Sequence, residues 1–263
     1  MRPIRIPGPA RLAAATLLVA LAGCVDEGPG AEPGLGAATP DPTALRASLS
    51  SAMSTGRTLP YGAAWTVLAE AHAAGIDGVR LFYSRAVIPA ADRASGPDQA
   101  EPDHWNREHL WPQSFGLAGT DARTDLHNLV PVDRTINSSR GAKFFDEVAG
   151  AHHECDLCEV SRTAWEPPAE VKGDVARSAF YMDVRYEGEA VDAVPDLSLG
   201  DDPDAGARRF GRLGTLLAWH CEDPVSSDEV RRHEIVAAAQ GNRNAFVDSP
   251  SLVEDVYGER CDG

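Results

Sequence analysis

The spacing of apolar residues along the chain predicts several helices that each bury one face. The first runs from Pro42 to Met53, with Asp41 as its N-cap and proline at the first helical position, where the missing N–H costs no hydrogen bond. Another runs from Ser227 to Ala239, opened by Ser226 or Ser227, with two acidic residues in its first turn. Two further helices are predicted over Trp65–Ala74 and Ala205–Trp219.

The middle of the chain combines strand and helix patterns. Val79–Tyr83 is typical of a strand, and Asp125–Pro131 alternates as a strand would before a proline ends it. A helix is predicted over Val132–Val148, where Val132 and Ile136 face the core four residues apart. We therefore predict a single α+β domain, mainly helical, from residue 43 to residue 263.

The N-terminus has the features of an export signal. Three arginines precede an acid-free apolar run from Leu12 to Leu21, which is too short to span a bilayer. The run ends in Leu21-Ala22-Gly23-Cys24, which resembles the lipobox of bacterial lipoproteins, where the cysteine is acylated and becomes the first mature residue. We expect a signal peptide at residues 1–23 and a membrane anchor at Cys24, facing the periplasm or the cell exterior. The alternative is a secretory signal in which Cys24 is incidental.

The segment after Cys24 is predicted to be a flexible tether. From Asp26 to Pro42 it consists mainly of Gly, Pro, Ala and acidic residues, and Leu35 is its one large apolar residue. Such a composition buries too little surface to order itself. We therefore assign residues 24–42 to the tether.

The charge of the chain limits how it can bind nucleic acid. The sequence has 24 basic and 40 acidic residues, a formal net charge of −16. Removal of residues 1–23 takes away three arginines and no acid, so the mature chain has 21 − 40 = −19. This balance argues against broad electrostatic binding to DNA or to anionic lipid, so any nucleic-acid role must come from a local site.

Residues suited to metal-assisted chemistry are concentrated between His104 and Phe145. Glu108 and His109 are adjacent, and a carboxylate beside an imidazole can give a hard metal an oxygen ligand and a water molecule a base. Neighbours on a regular strand point to opposite faces, so the two can serve one phosphate only if the strand ends or bulges there. Pro112 is consistent with such an end.

Four ordered motifs resemble those of the bacterial endonuclease I family of ββα-metal (His-Me finger) nucleases. They are Asn106-Arg107-Glu108-His109, Trp111-Pro112-Gln113-Ser114, Asp125-Leu126-His127-Asn128-Leu129 and Asn137-Ser138-Ser139-Arg140, and the likeness continues more loosely through Asp223-Pro224-Val225-Ser226 and Gln240-Gly241-Asn242-Arg243-Asn244. The resemblance covers roughly residues 60 to 257. It implies an exported endonuclease that cuts DNA, and often RNA, with little sequence preference, and a ββα-metal motif within the domain.

The resemblance also implies a division of roles. Glu108 and the side-chain oxygen of Asn137 would hold one Mg²⁺, or another divalent cation such as Mn²⁺ or Ca²⁺, and leave the other positions to water and phosphate. His109 would take the proton from the attacking water, with its other ring nitrogen fixed by a main-chain carbonyl. The products would carry 5′-phosphate and 3′-hydroxyl ends.

A phosphate-binding arginine is expected beside these residues. Some members of the family carry it in an insertion between the two strands, whereas this chain has a short connection from Phe115 to Thr124, in which Arg123 is the one arginine. Arg140, one helical turn after Asn137, is the competing candidate.

Several other polar residues of the motifs are expected to support the site. Asp125 is predicted to be a structural hydrogen-bonding group rather than a third metal ligand, and His127 and Asn128 are predicted to be supporting residues of the cleft. The segment with Asn242 and Arg243 is either a helix C-cap and loop or a contact to metal-bound waters or phosphate.

Four cysteines remain after Cys24. An exported protein favours disulfides, and among the three possible connectivities we predict Cys155–Cys158 with Cys221–Cys261. The alternative is a structural zinc held by Cys155, Cys158 and the neighbouring His152 and His153.

A function of a different class is also compatible with the pattern. The chain could be a non-catalytic surface lipoprotein that uses the same fold as a binding module. The presence of both His109 and Asn137 favours the enzyme.

Overall fold

The computed structural model describes residues 41–94, 104–188 and 194–258 together with Cys261. The predicted signal peptide, Cys24 and the tether up to residue 40 lie outside these residues. The helices are α1 (Pro42–Met53), α2 (Ala64–Ala71), α3 (Arg134–Arg140), α4 (Lys172–Arg185), α5 (Leu213–Glu222), α6 (Ser227–Gln240), α7 (Ala245–Asp248) and α8 (Leu252–Tyr257). The strands are β1 (Ala73–Ala74), β2 (Gly78–Arg80), β3 (Val87–Pro89), β4 (Trp105–His109), β5 (Leu129–Asp133), β6 (Phe144–Phe145), β7 (Ala151–His152), β8 (Cys155–Val160), β9 (Ala164–Glu166), β10 (Ser198–Leu199) and β11 (Arg209–Phe210). The mixture is an α+β fold, as predicted.

Helix α4 lies in the centre of the domain and packs against α1, α5 and α7. Every residue from Gly173 to Arg185 is buried, including its charged side chains. Buried charges require partners, and α4 has them: Arg177 pairs with Glu229 of α6 at 2.6 Å, and Asp183 accepts from Arg46 of α1 at 2.6 Å. These ion pairs join α4 to the helices around it.

The described strands form small sheets rather than one large one. β1, β2 and β3 are antiparallel, and the order β6-β9-β8-β7 contains one parallel pair, β6 with β9. β10 and β11 form a parallel pair. β4 and β5 form an antiparallel pair, and α3 begins directly after β5. This last unit positions the candidate site.

Helices with a clear cap are found where the sequence predicts them. The Asp41 side chain accepts from the Thr43 N–H at the start of α1, and the Ser226 hydroxyl accepts from the Glu229 N–H at the start of α6. The prediction of a helix over Trp65–Ala74 is too long, because α2 stops at Ala71 and the next residues form β1. The prediction over Ala205–Trp219 starts too early, because β11 and two glycines precede α5.

The two predictions around the second motif strand are partly wrong. Residues Leu126–Asn128 form a 3₁₀ turn, and the strand is Leu129–Asp133, with Pro131 inside it. Proline is tolerated there because β5 pairs with only one strand, β4. The helix predicted over Val132–Val148 is only α3, which ends at Gly141 with φ +55° before β6 begins. Val132 and Ile136 are both buried, as expected.

The strand predicted over Val79–Tyr83 is shorter in the structure. The ladder with β3 ends at Arg80, and the Phe82 N–H instead donates to the Pro131 carbonyl of β5 at 2.8 Å. Phe82 and Tyr83 are fully buried. This connection brings Tyr83 behind the β4–β5 pair.

The cysteines form the two predicted disulfides, Cys155–Cys158 and Cys221–Cys261, with Cα–Cα distances of 5.3 and 5.2 Å. The zinc alternative is wrong, because His152 bonds the Ser139 hydroxyl through Nε2 and the thiols are used in the disulfide. Within the part of the chain that the structure describes, no helix combines the length and apolarity needed to cross a bilayer.

Candidate active site

A cleft of about 420 Å³ opens where β4 ends, and Glu108, His109 and Asn137 all line it. The β4–β5 register sets His109 opposite Leu129 as the last residue of the strand. Beyond this point the chain leaves the pleat, which allows two consecutive side chains to reach one cleft. The α3 helix then supplies Asn137. The structure therefore brings together the three residues that the motifs single out.

Glu108 is 2% exposed and is held in place from behind the strand. Its Oε1 accepts from the Tyr83 hydroxyl at 3.1 Å and lies 3.2 Å from Arg140 Nη1. Burial raises the pKa of Glu108 to about 7, although Arg140 and Tyr83 favour the ionised form. A further cation at the cleft side of this carboxylate would offset the cost of burying its charge.

His109 is fixed in one orientation by a backbone carbonyl, as the sequence analysis expects, and that carbonyl belongs to Arg123. Nε2 donates its hydrogen to it at 2.9 Å. Nδ1 is then the free acceptor of the ring, 3.4 Å from Gln113 Nε2. Burial lowers the pKa of His109 to about 4. The bond to the Arg123 carbonyl acts to raise the pKa, but its effect is smaller than that of burial. The imidazole is therefore neutral at pH 7 and able to accept a proton.

Asn137 is oriented by its neighbour across the cleft. Its side-chain Nδ2 donates to Asn106 Oδ1 at 2.5 Å, and both residues line the cleft. Because the nitrogen is used in this bond, the side-chain oxygen of Asn137 is the atom left to act as a ligand.

Arg140 does not line the cleft, so the structure gives no support to its predicted contact with phosphate. Its side chain is completely buried, and its guanidinium donates to the carbonyls of His109 at 2.9 Å and Leu110 at 2.6 Å. Together with the ion pair to Glu108, these bonds hold the end of β4. Arg140 is therefore a positioning residue, which acts through Glu108 and the backbone of His109.

Arg123 is half-buried beside His109, whose Nε2 bonds its carbonyl. Its guanidinium carbon is 4.8 Å from the centre of the Tyr61 ring, and no carboxylate among the described residues pairs with it. Its Nε has no hydrogen-bond partner. Of the two predicted arginines, Arg123 is the one placed to meet an anion.

Asp125 is the centre of a buried polar network. Its carboxylate accepts from Tyr181, Tyr186 and Gln240 at 2.8–3.0 Å and pairs with Arg185 at 2.9 Å. Burial alone would raise the pKa of Asp125, but Arg185 and the hydrogen bonds lower it overall. These contacts fit the structural role predicted for it.

His127 and Asn128, which follow Asp125 in the same motif, support the loops around the site. Asn128 bonds the N–H and the carbonyl of Trp111 through its side-chain amide, which fixes the chain just after β4. His127 contacts the Asn242 carbonyl through Nε2 at 3.2 Å. Neither residue lines the cleft of Glu108 and His109.

Asn242 and Arg243 do not line the cleft, so the structure gives no support to an approach of either one to metal-bound waters or phosphate. Asn242 is buried and donates to the Met53 carbonyl and the Tyr181 hydroxyl. Arg243 pairs with Glu234 and Asp248 near the surface, both at 2.6 Å. The C-cap alternative is confirmed, because Gly241 ends α6 with φ +89°.

Sequence reasoning missed four residues of the site. Tyr83 holds Glu108, whereas Tyr61, Arg107 and Gln113 line the cleft. Arg107 and Gln113 lie inside the quoted motifs, so their positions alone could have suggested a role. Tyr61 and Tyr83 are far from the motifs along the chain, and no local signal marks them.

Comparison with known proteins places this site in a nuclease. The sequence profile of Endonuclease I matches residues 43–251, and the chain therefore belongs to the Endonuclease I family. An extracellular ribonuclease of Bacillus amyloliquefaciens is 39% identical over 221 residues, which cover 82% of this chain and 74% of that protein. An extracellular ribonuclease of Bacillus subtilis (strain 168) is 35% identical over 219 residues, 81% of this chain and 74% of the relative.

More distant relatives are named as deoxyribonucleases. An extracellular deoxyribonuclease of Aeromonas hydrophila is 26% identical over 129 residues, 47% of this chain and 49% of the relative. The family and these relatives agree on a hydrolytic nuclease, which confirms the resemblance seen in the motifs.

Proposed function

We propose that this nuclease is a divalent-metal-dependent endonuclease that hydrolyses phosphodiester bonds of DNA, and also of RNA, with little sequence preference. It leaves 5′-phosphate and 3′-hydroxyl ends. The observation that carries the proposal is the convergence of Glu108, His109 and Asn137 on one cleft at the end of β4. In this proposal β4, β5 and α3 are the ββα-metal motif. The names of the Bacillus and Aeromonas relatives support RNA and DNA respectively.

The donor set fits a small, hard cation. Glu108 offers a carboxylate and Asn137 an amide oxygen, and Mg²⁺ binds proteins through one or two such oxygens while it keeps several waters. The buried Glu108 carboxylate, with its raised pKa, favours a cation at the cleft. When bound, the cation would stabilise the negative charge that builds up on the phosphate and on the leaving oxygen.

His109 acts as the general base in this proposal. Its Nε2 is used in the bond to the Arg123 carbonyl, so Nδ1 takes the proton from the attacking water. The same carbonyl then stabilises the positively charged ring. Arg123 binds the scissile or product phosphate, because its guanidinium lies beside His109 without a carboxylate partner in the described part of the chain.

Incubation of the purified protein with supercoiled plasmid tests this proposal. We expect nicked and then linear DNA in Mg²⁺, no cleavage in excess chelator, and 5′-phosphate ends that phosphatase removes. An RNA of mixed sequence should also be degraded. Equal cleavage with and without chelator would contradict the metal dependence. Absence of cleavage in Mg²⁺, Mn²⁺ and Ca²⁺ alike would contradict the nuclease and favour the binding-module alternative.

We also propose that the protein is exported and anchored to a membrane through lipid on Cys24. The lipobox-like end of the apolar run supports this, and the named extracellular relatives support export. The substitution Cys24→Ser should move the protein from the membrane fraction to a soluble fraction of export-competent cells. Recovery of the unsubstituted protein wholly in a soluble fraction would contradict the anchor.

A further inference from the structure

Three arginines and two aromatic rings alternate in a stack that we call the arginine–aromatic ladder (Arg93, Trp65, Arg107, Tyr61, Arg123). Two of its members, Arg107 and Tyr61, line the cleft. The guanidinium carbons of Arg93 and Arg107 lie 5.8 and 4.2 Å from the Trp65 ring centre. Those of Arg107 and Arg123 lie 3.5 and 4.8 Å from the Tyr61 ring centre. The Tyr61 ring in turn stacks on the His109 ring at 6.0 Å. The ladder therefore ends at the proposed base.

The positive charges of the ladder are not balanced within the described protein. None of its three arginines forms an ion pair with a described carboxylate, although the chain as a whole carries a net charge of −16. Like charges are gathered here without a counter-charge, which is the arrangement expected of a surface that binds an anion.

We infer that the ladder binds a run of phosphates of the nucleic-acid strand, from the scissile or product phosphate at Arg123 outward to Arg93. This inference rests on the proposed function and extends it to a strand-binding surface. Arg107 and Arg123 are separated by no more than the sum of their distances to the Tyr61 ring centre, about 8 Å, and Arg93 and Arg107 by no more than about 10 Å. A strand carries one negative charge per about 3.4 Å along its axis, so neighbouring arginines of the ladder are at most two to three nucleotides apart.

The rings of the ladder hold the guanidinium groups and do not stack on bases. Trp65 is only 7% exposed, and Tyr61 has two arginines and His109 against it. The ladder therefore reads phosphates, which carry no sequence information. Binding to phosphates is the recognition expected of an enzyme with little sequence preference. It also gives a negatively charged protein a local surface that can bind nucleic acid.

The salt dependence of binding tests the ladder without relying on cleavage. A fluorescent single-stranded DNA 30-mer is titrated with the full chain carrying His109→Ala, in the presence of Mg²⁺. The titration is repeated at NaCl concentrations from 0.1 to 0.4 M, and Kd is obtained from fluorescence anisotropy. We expect Arg93→Ala to raise Kd about tenfold and to reduce the slope of log Kd against log salt by about 0.7, as for one lost phosphate contact. Arg93→Lys should restore most of the slope.

The control is Arg162→Ala, since Arg162 is exposed in the turn between β8 and β9 and away from the cleft. It should leave both Kd and slope unchanged. An unchanged slope in Arg93→Ala and in Arg107→Ala would overturn the ladder, whatever the cleavage result. If the slope falls as expected but the protein with His109 restored cleaves nothing, the ladder stands and the proposed function fails.

Discussion

Glu108 and Arg140 form an ion pair that is shielded from solvent, with side-chain exposures of 3% and 0%. Such a pair contributes little net stability when it is compared with apolar residues, but the loss of one partner leaves a buried charge. Arg140 also donates to the two carbonyls that follow Glu108. The pair therefore fixes the position of the carboxylate and of the strand end, which is what a metal site requires.

Removal of Arg140 should destabilise the protein strongly. Arg140→Met leaves Glu108 buried without its counter-charge, so we expect the free energy of unfolding to fall by about 3–5 kcal/mol. Urea denaturation followed by circular dichroism measures this change. Arg162→Met, at an exposed position, should change the same quantity by less than about 0.5 kcal/mol. Equal unfolding midpoints for the two variants would contradict the role assigned to Arg140.

Some residues of the candidate site can be predicted from the sequence, whereas others cannot, because tertiary packing alone brings them to the site. Glu108, His109 and Asn137 lie within motifs whose order along the chain is itself informative. Tyr83 contacts Glu108 only because the backbone of Phe82 bonds β5, and that contact depends on tertiary packing. Arg140 is the opposite case. Its spacing from Asn137 predicts a residue of the cleft, but its side chain is buried and does not line the cleft.

At the level of elements, local signals determine what could be predicted. α1 and α6 carry their own caps, so their starts and lengths follow from the sequence. The segment from Leu129 to Phe145 contains a strand, a helix and a strand of two residues, and such short elements show no periodicity that a sequence could display. Gly141, which ends α3 with a positive φ, is the one local signal in that segment.

The two disulfides should differ in their contribution to stability. Cys221 lies in the last turn of α5, and its bond to Cys261 spans 40 residues, whereas Cys155–Cys158 spans 3. In the chain-entropy treatment the longer loop contributes about 4 kcal/mol and the shorter one about 2 kcal/mol. Serine substitution of each pair, followed by denaturation, should therefore give the larger loss for Cys221 and Cys261. A larger loss for the short loop would contradict this order.

At the scale of the whole molecule, charge is distributed unevenly. From His104 to Phe145 there are five basic and four acidic residues, a balance of +1. The rest of residues 24–263 has 16 − 36 = −20. A nucleic acid therefore meets a weakly positive site within a strongly negative protein, and the ladder adds Arg93 to that site.

This distribution predicts an unusual response to salt. At about 0.01 M salt the Debye length is about 30 Å, so the substrate is repelled by the whole protein, but at about 0.1 M it is about 10 Å and the local field dominates. Initial nicking rates at subsaturating DNA and fixed Mg²⁺ should therefore hold or rise between these two concentrations and decline above them. A steep fall from the lowest salt onward would show that a basic surface dominates binding instead.

The assignment of base and metal ligand is tested most directly by two substitutions measured in parallel. His109→Ala should reduce plasmid cleavage by about 10²–10⁴-fold while Mg²⁺ affinity, measured by calorimetry, stays unchanged, because the base is not a ligand. Glu108→Ala should instead weaken Mg²⁺ binding itself, and His153→Ala, an exposed histidine, should alter neither quantity. Near-normal turnover in His109→Ala, or normal Mg²⁺ affinity in Glu108→Ala, would contradict the proposed site.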